Sequence, residues 1–385
     1  MSYCIFTSNY SFIDNDGFVA LCCKNAQNKI YNYNIREHSL KEIWHSAHMT
    51  KVRNLLSTGG EPKGCNVCTE PENAGIQSFR QKTLHNINKG KQYNNTNIYA
   101  LDLRLGNICN LACTMCHSGN SNKIYNDLPK MSNHWNWPKS KLDSLLTRFD
   151  KKQYGWANDP KAWDNIISSI DPELKHVYLA GGEPFYLKNF PTTVERIWKA
   201  APNAVIAINT NGTRLLRDKD LKTLTQIKNI HMSISVDGYG PAEEYTRQGT
   251  IWKDKVAVMD QYYKEFDVRS FDITANALNV RHVPKLIDWL VTRYPHVDIM
   301  MRPVIKSPEI MLSSIPSSFK QESLDYFIKN KNNIIGADHV IHEMQKPLTS
   351  SKTAMQRFIS YYDTHGVLTL ESFDPELAKW INTLE

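Results

Sequence analysis

No stretch of the chain approaches the roughly 18 consecutive apolar residues that cross a bilayer. The first residues, MSYCIFTSNYSF, lack the basic-then-apolar order of a secretion signal. Together these absences predict a soluble, cytoplasmic protein with no membrane partner. Internal repeats are missing too, so the chain is not a repeat array. No block of like charge stands out; the charged residues, 22% of the total, are intermixed, which argues against bulk disorder. Histidine says little. His342-Glu343 lacks the second histidine of a zinc-protease helix, and His45 and His48 have no matching pair elsewhere.

What is present suffices for a core and for more than one domain: 385 residues, 41% of them hydrophobic. The net charge is +7. The eight cysteines fall in two sets, Cys4, Cys22, Cys23, Cys65 and Cys68 early in the chain and Cys109, Cys113 and Cys116 in one short window. In a reducing compartment such clusters read as metal ligands or catalysts rather than disulfides.

The window reads LRLGNICNLACTMCHSG, with C-x3-C-x2-C spacing and no fourth cysteine nearby. Thiolates are soft ligands that suit iron–sulfur clusters, Zn and Cu(I). A four-iron cluster takes one cysteine per iron, so three cysteines leave one iron open to bind something else. The segment before them, IYALDLRLG at 98–106, alternates Leu101, Leu103 and Leu105 with Asp102 and Arg104, as a strand does. The cysteines thus sit on a loop at a strand's C-terminal end, where folds of alternating strand and helix keep their chemistry. A zinc site completed by His117 is the other reading of these residues. The spacing, and its place after a strand, resemble the radical S-adenosylmethionine (radical SAM) family. The resemblance implies a [4Fe-4S] cluster on Cys109, Cys113 and Cys116 that binds S-adenosylmethionine. One position departs: Met115 stands where the family usually has an aromatic residue. A thioether can still cover a cofactor ring by S–aromatic contact, so Met115 joins the cofactor-binding candidates.

Between 98 and 305 strand and helix patterns alternate. Strands are expected at 98–105, 175–180, 204–209, 230–236, 271–278 and 298–304, and helices at 188–200, 214–226, 252–266 and 282–293. That order implies βαβ units and a parallel sheet. Six strands match the partial (β/α)6 barrel of radical SAM enzymes. An insert at 119–172 holds Trp135, Trp137, Trp156 and Trp163 with Lys151 and Lys152. It reads as a helical insert burying its own tryptophans, or as a surface that stacks bases. Before the barrel, 40–56 is expected as one helix. Ser39 and Glu42 would form its capping box, and Ile43, Ala47, Val52 and Leu55 its buried face. The polar stretch 85–97 is the expected linker. The tail mixes helix with a strand-like VLTLESF at 367–373. The fold class is α/β, with a cysteine-rich domain at 1–90, the barrel at 98–305 and a C-terminal α+β extension at 306–385.

Several expected strand ends carry motifs. VYLAGGEPFY presents Gly181, Gly182, Glu183 and Pro184. Glycines let a backbone come close to a ligand, and a strand edge so exposed can accept hydrogen bonds from an ammonium, with Glu183 adding charge. In radical SAM enzymes this motif holds the cofactor's amino group. INTNGT offers Asn209 and Asn211 to line a cofactor site, or forms an N-G turn. ISVDG, followed by Arg247, resembles the S-x-D-G…R pattern of relatives with SPASM or Twitch extensions. There Ser235 and Arg247 would contact the cofactor's ribose or carboxylate, for which a planar guanidinium is suited. Asp237 would lie nearer the substrate. With Tyr239 and Asp272 it makes the catalytic candidate set, and Asp102 and Arg302 are further positions to test.

Cys4, Gly17 and Cys22, at C-x12-G-x4-C spacing, resemble the opening of the SPASM/Twitch auxiliary-cluster domain. Cys65 and Cys68 add a C-x2-C pair. Four ligands close one cluster, which points to the single-cluster Twitch form, and Cys23 is left as a spare thiol or a substitute for Cys22. A structural Cys4 zinc site is the alternative. The extension usually follows the barrel, whereas here it precedes it. With both clusters bound, the net charge falls to about +4.

The resemblance implies an enzyme that cleaves S-adenosylmethionine reductively to a 5′-deoxyadenosyl radical and abstracts a hydrogen atom from its substrate. A peptide or protein side chain is the expected substrate, with oxidation, crosslinking or epimerisation as the outcome. A flavodoxin or ferredoxin is the expected reductant. The alternatives are radical modification of a nucleic acid or small molecule, and a noncatalytic zinc-stabilised scaffold.

Overall fold

The structure, a computed structural model, describes residues 4–25, 33–73, 75, 77–81, 83, 97–148, 155–349 and 352–383. Lys151, Lys152 and all but the last residue of the expected linker lie outside the described residues.

Along the chain, α1 (Ile5–Ser8) leads into β1 (Tyr10–Ile13) and β2 (Val19–Ala20). Helices α2 (Leu40–Trp44), α3 (Ala47–Ser57) and α4 (Asn66–Asn73) follow. Next come β3 (Ala100–Arg104), α5 (Asn122–Trp135), α6 (Lys139–Arg148), α7 (Pro160–Ile167), β4 (His176–Ala180) and α8 (Phe190–Ala200). Then β5 (Val205–Thr210), α9 (Asp218–Leu224), β6 (Ile230–Ser235), α10 (Pro241–Thr246) and α11 (Trp252–Glu265). The alternation ends with β7 (Asp267–Ala275), α12 (Val283–Arg293) and β8 (Asp298–Pro303). The tail adds α13 (Gln321–Asn330), β9 (Ile334–Ile335), α14 (Ala337–Gln345), α15 (Lys352–His365) and α16 (Pro375–Asn382). The six expected strands are β3 to β8, and the four expected helices are α8, α9, α11 and α12. VLTLESF is not a strand. Its Leu370–Ser372 forms a 3-10 turn, closed by the Leu370 N–H donating to Asp363 Oδ1 at 3.0 Å. Among the described residues no helix is long and apolar enough to cross a membrane.

Met1–Ile108, Asp150–Ile208 and Asp218–Ile230 form one compact unit. Its strands lie in the order β2-β1-β3-β4-β5, parallel except for β2. The YSFI strand β1 was not expected. It pairs with β3, Phe12 opposite Asp102, so the cysteine-rich N-terminal segment adds two strands to the sheet of this unit. Trp156 staples the two strand ends: its buried indole Nε1 donates to the carbonyls of Asp14 (3.1 Å) and Arg104 (2.9 Å). Truncating such a side chain to alanine costs about 3–5 kcal/mol.

The expected helix at 40–56 is two helices. The capping box of Ser39 and Glu42 opens α2, but Ser46 ends the run and caps α3, its hydroxyl accepting the Met49 N–H at 3.3 Å. The break shifts the helical phase. Ile43, Met49, Val52 and Leu56 are buried, whereas Ala47 and Leu55 face outward.

Cys109–Phe149, Asn209–Arg217 and His231–Glu385 form the second unit. Here β6, β7, β8 and β9 run parallel in that order. β6 buries Met232 and Ile234 and turns Ser233 and Ser235 to the opposite, partly open face, as period-two alternation requires. α14 packs on β8, and α15 packs on α5 and α16. The tryptophans of the insert divide: Trp156 and Trp163 are buried in the first unit, while Trp135 and Trp137 are half-buried in the second.

Candidate cluster and cofactor site

In the second unit, backbone contacts hold the cysteine loop. The Cys109 N–H donates to Asn122 Oδ1 at 2.8 Å, at the start of α5. Ser121, the N-cap of that helix, donates its hydroxyl to the Leu111 carbonyl at 2.5 Å. The Ala112 and Thr114 N–H groups donate to the carbonyls of Gln248 and Thr246, both at 2.9 Å. The loop is thus tied to α5 on one side and to the segment closing α10 on the other. Asn211 adds a side-chain clamp: its Nδ2 donates to Asn110 Oδ1 at 2.9 Å and lies 3.8 Å from Cys109 Sγ.

Cys113 feels both of the other thiols. Burial raises the Cys113 pKa above its ordinary value; nearby Arg247 lowers it, and Cys116 and Cys109 raise it further. Burial raises Cys116 as well. Neutral thiols crowded in this way form a donor set that a cluster fits, because the positive charge of bound iron offsets the repulsion among the thiolates it creates. Met115 follows in the same loop and is half-buried.

In the first unit, Cys4, Cys22, Cys65 and Cys68 gather around α1 and α4. Burial pushes Cys4 up to about 11, with Cys65 adding to the rise. Burial pushes Cys22 up to about 12, with Cys23 and Cys4 adding to it. Burial raises Cys65, and Cys68 contributes. Arg80, bonded to Glu72 through Nε at 2.7 Å, places its positive charge beside Cys4 and Cys68. These contacts fit a four-thiolate site held near a cation. Cys23 senses a different neighbourhood: burial and then Asp102 raise it, and Arg104 lowers it. Asp102 is itself buried and paired with Arg104 Nε at 2.8 Å, with the Tyr10 hydroxyl at 3.3 Å. Among the described residues no group of three or more His, Cys, Asp or Glu side chains is placed to hold a single metal ion. A four-iron cluster asks for something else, one thiolate for each iron.

The glycine motif folds as close approach demands. Gly181 and Gly182 have φ of +91° and +54°. A Cβ on Gly182 would come within 2.4 Å of the Ile108 carbonyl oxygen, so only glycine fits there. The Glu183 N–H donates to that same carbonyl at 2.7 Å. The Glu183 carboxylate is buried and accepts the Phe185 N–H at 3.2 Å, where Pro184 opens a short 3-10 turn.

Three expected residues converge in the second unit. Asn209 Nδ2 donates to Asp272 Oδ2 at 3.1 Å, and the Ser235 hydroxyl donates to Asn209 Oδ1 at 3.4 Å. Asp272 Oδ1 accepts the Ser270 hydroxyl at 2.7 Å. Asp237 is placed otherwise. It is fully buried, with Oδ2 on Arg247 Nε at 2.7 Å and Oδ1 on the Thr274 N–H at 2.6 Å. A carboxylate so engaged holds Arg247 rather than meeting a substrate. Burial raises its pKa and Arg247 opposes the rise. For Arg247 burial works against the charge, but Asp237, Cys113 and Glu243 outweigh it and keep the group protonated.

Sequence reading missed the rest of this network. Glu243 Oε2 accepts the N–H groups of Asp237 (2.7 Å) and Gly238 (2.9 Å). Lys255 pairs with Glu243 Oε1 and donates to the Ser235 carbonyl at 2.7 Å. Both are fully buried. No spacing rule marks either residue, because the contact is made by folding α10 and α11 over the end of β6. Tyr239 also departs from expectation. Its ring packs against Trp252 (5.3 Å) and Trp289 (5.7 Å), with Lys285 Nζ 4.7 Å above it, so its contacts are helix residues. Arg302 is exposed, with Nη2 3.0 Å from Met300 Sδ.

Residues 103–290 match the radical SAM superfamily, and residues 4–70 match the SPASM iron–sulfur cluster-binding domain. Among solved structures the chain is similar to native anSMEcpe with bound AdoMet and Cp18Cys peptide, at 16% identity and a TM-score of 0.39, over 61% of this chain and 62% of that one. It is also similar to SuiB of Streptococcus suis bound to the precursor peptide SuiA, at 14% identity and a TM-score of 0.40, over 85% of this chain and 66% of that one. The aligned part is thus under two thirds of either relative's length. No curated protein matches the chain. Two adjoining domain matches, in the order that the two cysteine sets lie along the chain, carry the assignment. The protein belongs to the radical SAM superfamily with a SPASM domain on its N-terminal side, and its cofactors are a [4Fe-4S] cluster, S-adenosylmethionine and an auxiliary iron–sulfur cluster.

Proposed function

We propose that this radical SAM enzyme cleaves S-adenosylmethionine reductively and takes a hydrogen atom from a peptide or protein side chain. A [4Fe-4S] cluster, when bound, supplies the electron for that cleavage and an open iron for the cofactor. Cys109, Cys113 and Cys116 would hold it. The observation that carries the reading is the pinned cysteine loop. The backbone that carries the three cysteines is fixed by Asn122, Thr246 and Gln248, Cys113 lies close enough to feel Cys109 and Cys116, and such preorganisation limits the reorganisation needed at the reacting centre.

The other roles follow from the chain's own chemistry. The Gly181-Gly182-Glu183 segment offers backbone and carboxylate acceptors to an ammonium. Arg247, braced by Asp237, suits a carboxylate. Ser235 and Asn209 suit ribose hydroxyls. Asp272, half-buried beside Asn209, is the candidate to hold or move a proton at the substrate, and Tyr239 drops behind it. Cys4, Cys22, Cys65 and Cys68 would fill all four irons of the auxiliary cluster, which favours electron transfer over substrate binding. The reductant would be a flavodoxin or ferredoxin. A peptide substrate is favoured because SPASM relatives commonly modify peptides or protein side chains.

The test is anaerobic incubation with S-adenosylmethionine and dithionite. The wild-type protein should form 5′-deoxyadenosine and the Cys109→Ala, Cys113→Ala, Cys116→Ala variant should not. Product from the triple variant would sink the assignment.

A further inference from the structure

The second unit contains a cavity of about 470 Å³ bounded by α5, α6 and α15, with Cys116 in its wall. That volume lies within the range of about 300–1,000 Å³ typical of ligand pockets. Its apolar lining includes Leu128, Trp135, Trp137, Leu145, Phe358 and Tyr362. The wall is built to stay in place. Trp135 Nε1 donates to the Arg357 carbonyl at 3.1 Å, and the Arg357 guanidinium donates back to the Trp135 carbonyl. The Tyr125 hydroxyl donates to the Leu146 carbonyl at 3.1 Å and ties α6 to α5.

The lining discriminates between occupants. A nucleobase binds by stacking on an open aromatic face. Here Trp135 is stacked on Phe358, their planes 11° apart, and Lys141 Nζ sits 4.0 Å above the ring of Trp137. Those contacts take up one face of each indole, and the aliphatic carbon of Ile124, Leu128, Met131 and Leu145 lines the cavity beside them, which suits an apolar side chain. A folded redox protein presents a convex face and cannot enter a concavity of this size, whereas one side chain can. α6 buries none of its residues, and Leu145 is only half-buried, so an apolar group seated here would complete its burial.

Charge completes the selection. Lys141 and Arg357 line the cavity against a single acid, Glu309. Arg148 and Lys306 add positive charge felt at His117, which also lines it. The cavity therefore favours a ligand that brings negative charge next to its apolar group.

We propose that this cavity anchors the peptide substrate through one large apolar side chain flanked by Asp or Glu, the acid pairing with Lys141 and Arg357. The choice of a peptide rests on the function proposed above. The test uses two photoreactive probes on the anaerobically reconstituted protein, acetyl-Glu-(benzoylphenylalanine)-Glu-amide and its counterpart with Lys in place of Glu. Adducts are mapped by mass spectrometry. The glutamate probe should label α5, α6 or α15, exceeding the lysine probe by about fivefold, as one partly screened ion pair allows. Lys141→Glu should reverse the preference, and Leu145→Arg should abolish labelling. Lys141 is exposed, so its variant keeps the test open should Leu145→Arg fold poorly. Equal labelling by both probes, adducts elsewhere, or displacement by a short oligothymidylate would overturn the proposal. Cross-linking needs no cofactor cleavage. Product formation without labelling would therefore refute the cavity alone, and labelling without product would refute the radical chemistry alone.

Discussion

Arg247 Nε lies 2.7 Å from Asp237 Oδ2 in a setting where Asp237 is fully buried and Arg247 is 8% exposed. Glu243 and Lys255 close the network, so two charges of each sign balance inside the protein. Removing one partner of a buried pair leaves the other charge uncompensated and costs about 3–5 kcal/mol. Asp237→Asn is expected to lower the unfolding free energy by that amount in urea titrations. It should also raise KM for S-adenosylmethionine more than it lowers kcat, because the guanidinium fork loses its brace. A variant within about 0.5 kcal/mol of wild type would show that the pair anchors nothing.

Asn211 carries a second prediction. Its Nδ2 faces Cys109 Sγ at 3.8 Å, and hydrogen bonds to a ligating sulfur stabilise the more negative, reduced state of a cluster. Asn211→Leu should move the potential of that cluster to more negative values. An anaerobic redox titration followed by electron paramagnetic resonance reads this without substrate. An unchanged potential would leave Asn211 as a clamp on Asn110 only.

Iron content separates the two cysteine sets. Wild type should hold about eight irons per chain, two four-iron clusters. Replacing Cys109, Cys113 and Cys116 with Ala should leave about four and abolish cofactor cleavage. Replacing Cys65 and Cys68 should also leave about four, and should lower the melting temperature, because metal-binding energy is also folding energy. Loss of all iron from either variant would mean that the two sites are not independent.

The tail has its own pH dependence. Asp374 caps α16, Oδ1 accepting the Leu377 N–H at 3.1 Å and pairing with Arg281 at 2.6 Å, while Oδ2 meets His282 at 3.1 Å. Burial acts to raise its pKa, but His282, the Leu377 N–H and Arg281 outweigh it and hold the carboxyl below its ordinary value. An unfolded aspartate titrates near about 3.9. With the folded pKa depressed, the stabilisation is complete above that value and is lost as pH falls through the folded one. Hydrogen exchange over 375–382 should therefore accelerate, relative to the intrinsic rate, only below about pH 4. Asp374→Ala should cost about 1–2 kcal/mol at neutral pH and flatten the acid limb. An acid limb that persists in the variant would assign it to another group.

How far the sequence carried depended on the range of the interaction. The cysteine spacing and the Gly181-Gly182-Glu183 run are local, and each meets a chemical demand that few residue types satisfy, so both were legible. The alternation of β3 to β8 with helices was legible because each period is written in adjacent residues. The strand β1 was not, since YSFI is short and gains its partner, β3, from about ninety residues away. The same holds for Asp237. The resemblance implied a place nearer the substrate, yet its partners are Thr274 on β7, Glu243 on α10 and Arg247 just beyond it, which reach it only in the folded chain. Ser46 shows a local miss: the expected helix at 40–56 runs straight through it, whereas its side chain caps a second helix that starts there.

The decisive measurement is 5′-deoxyadenosine formed by the reconstituted, dithionite-reduced protein with S-adenosylmethionine, quantified beside total iron. Nucleoside product together with about eight irons per chain is the predicted result. A protein that holds those irons, binds S-adenosylmethionine and the acidic probe peptide, and still yields no 5′-deoxyadenosine would contradict the assignment of radical chemistry to the Cys109, Cys113 and Cys116 loop.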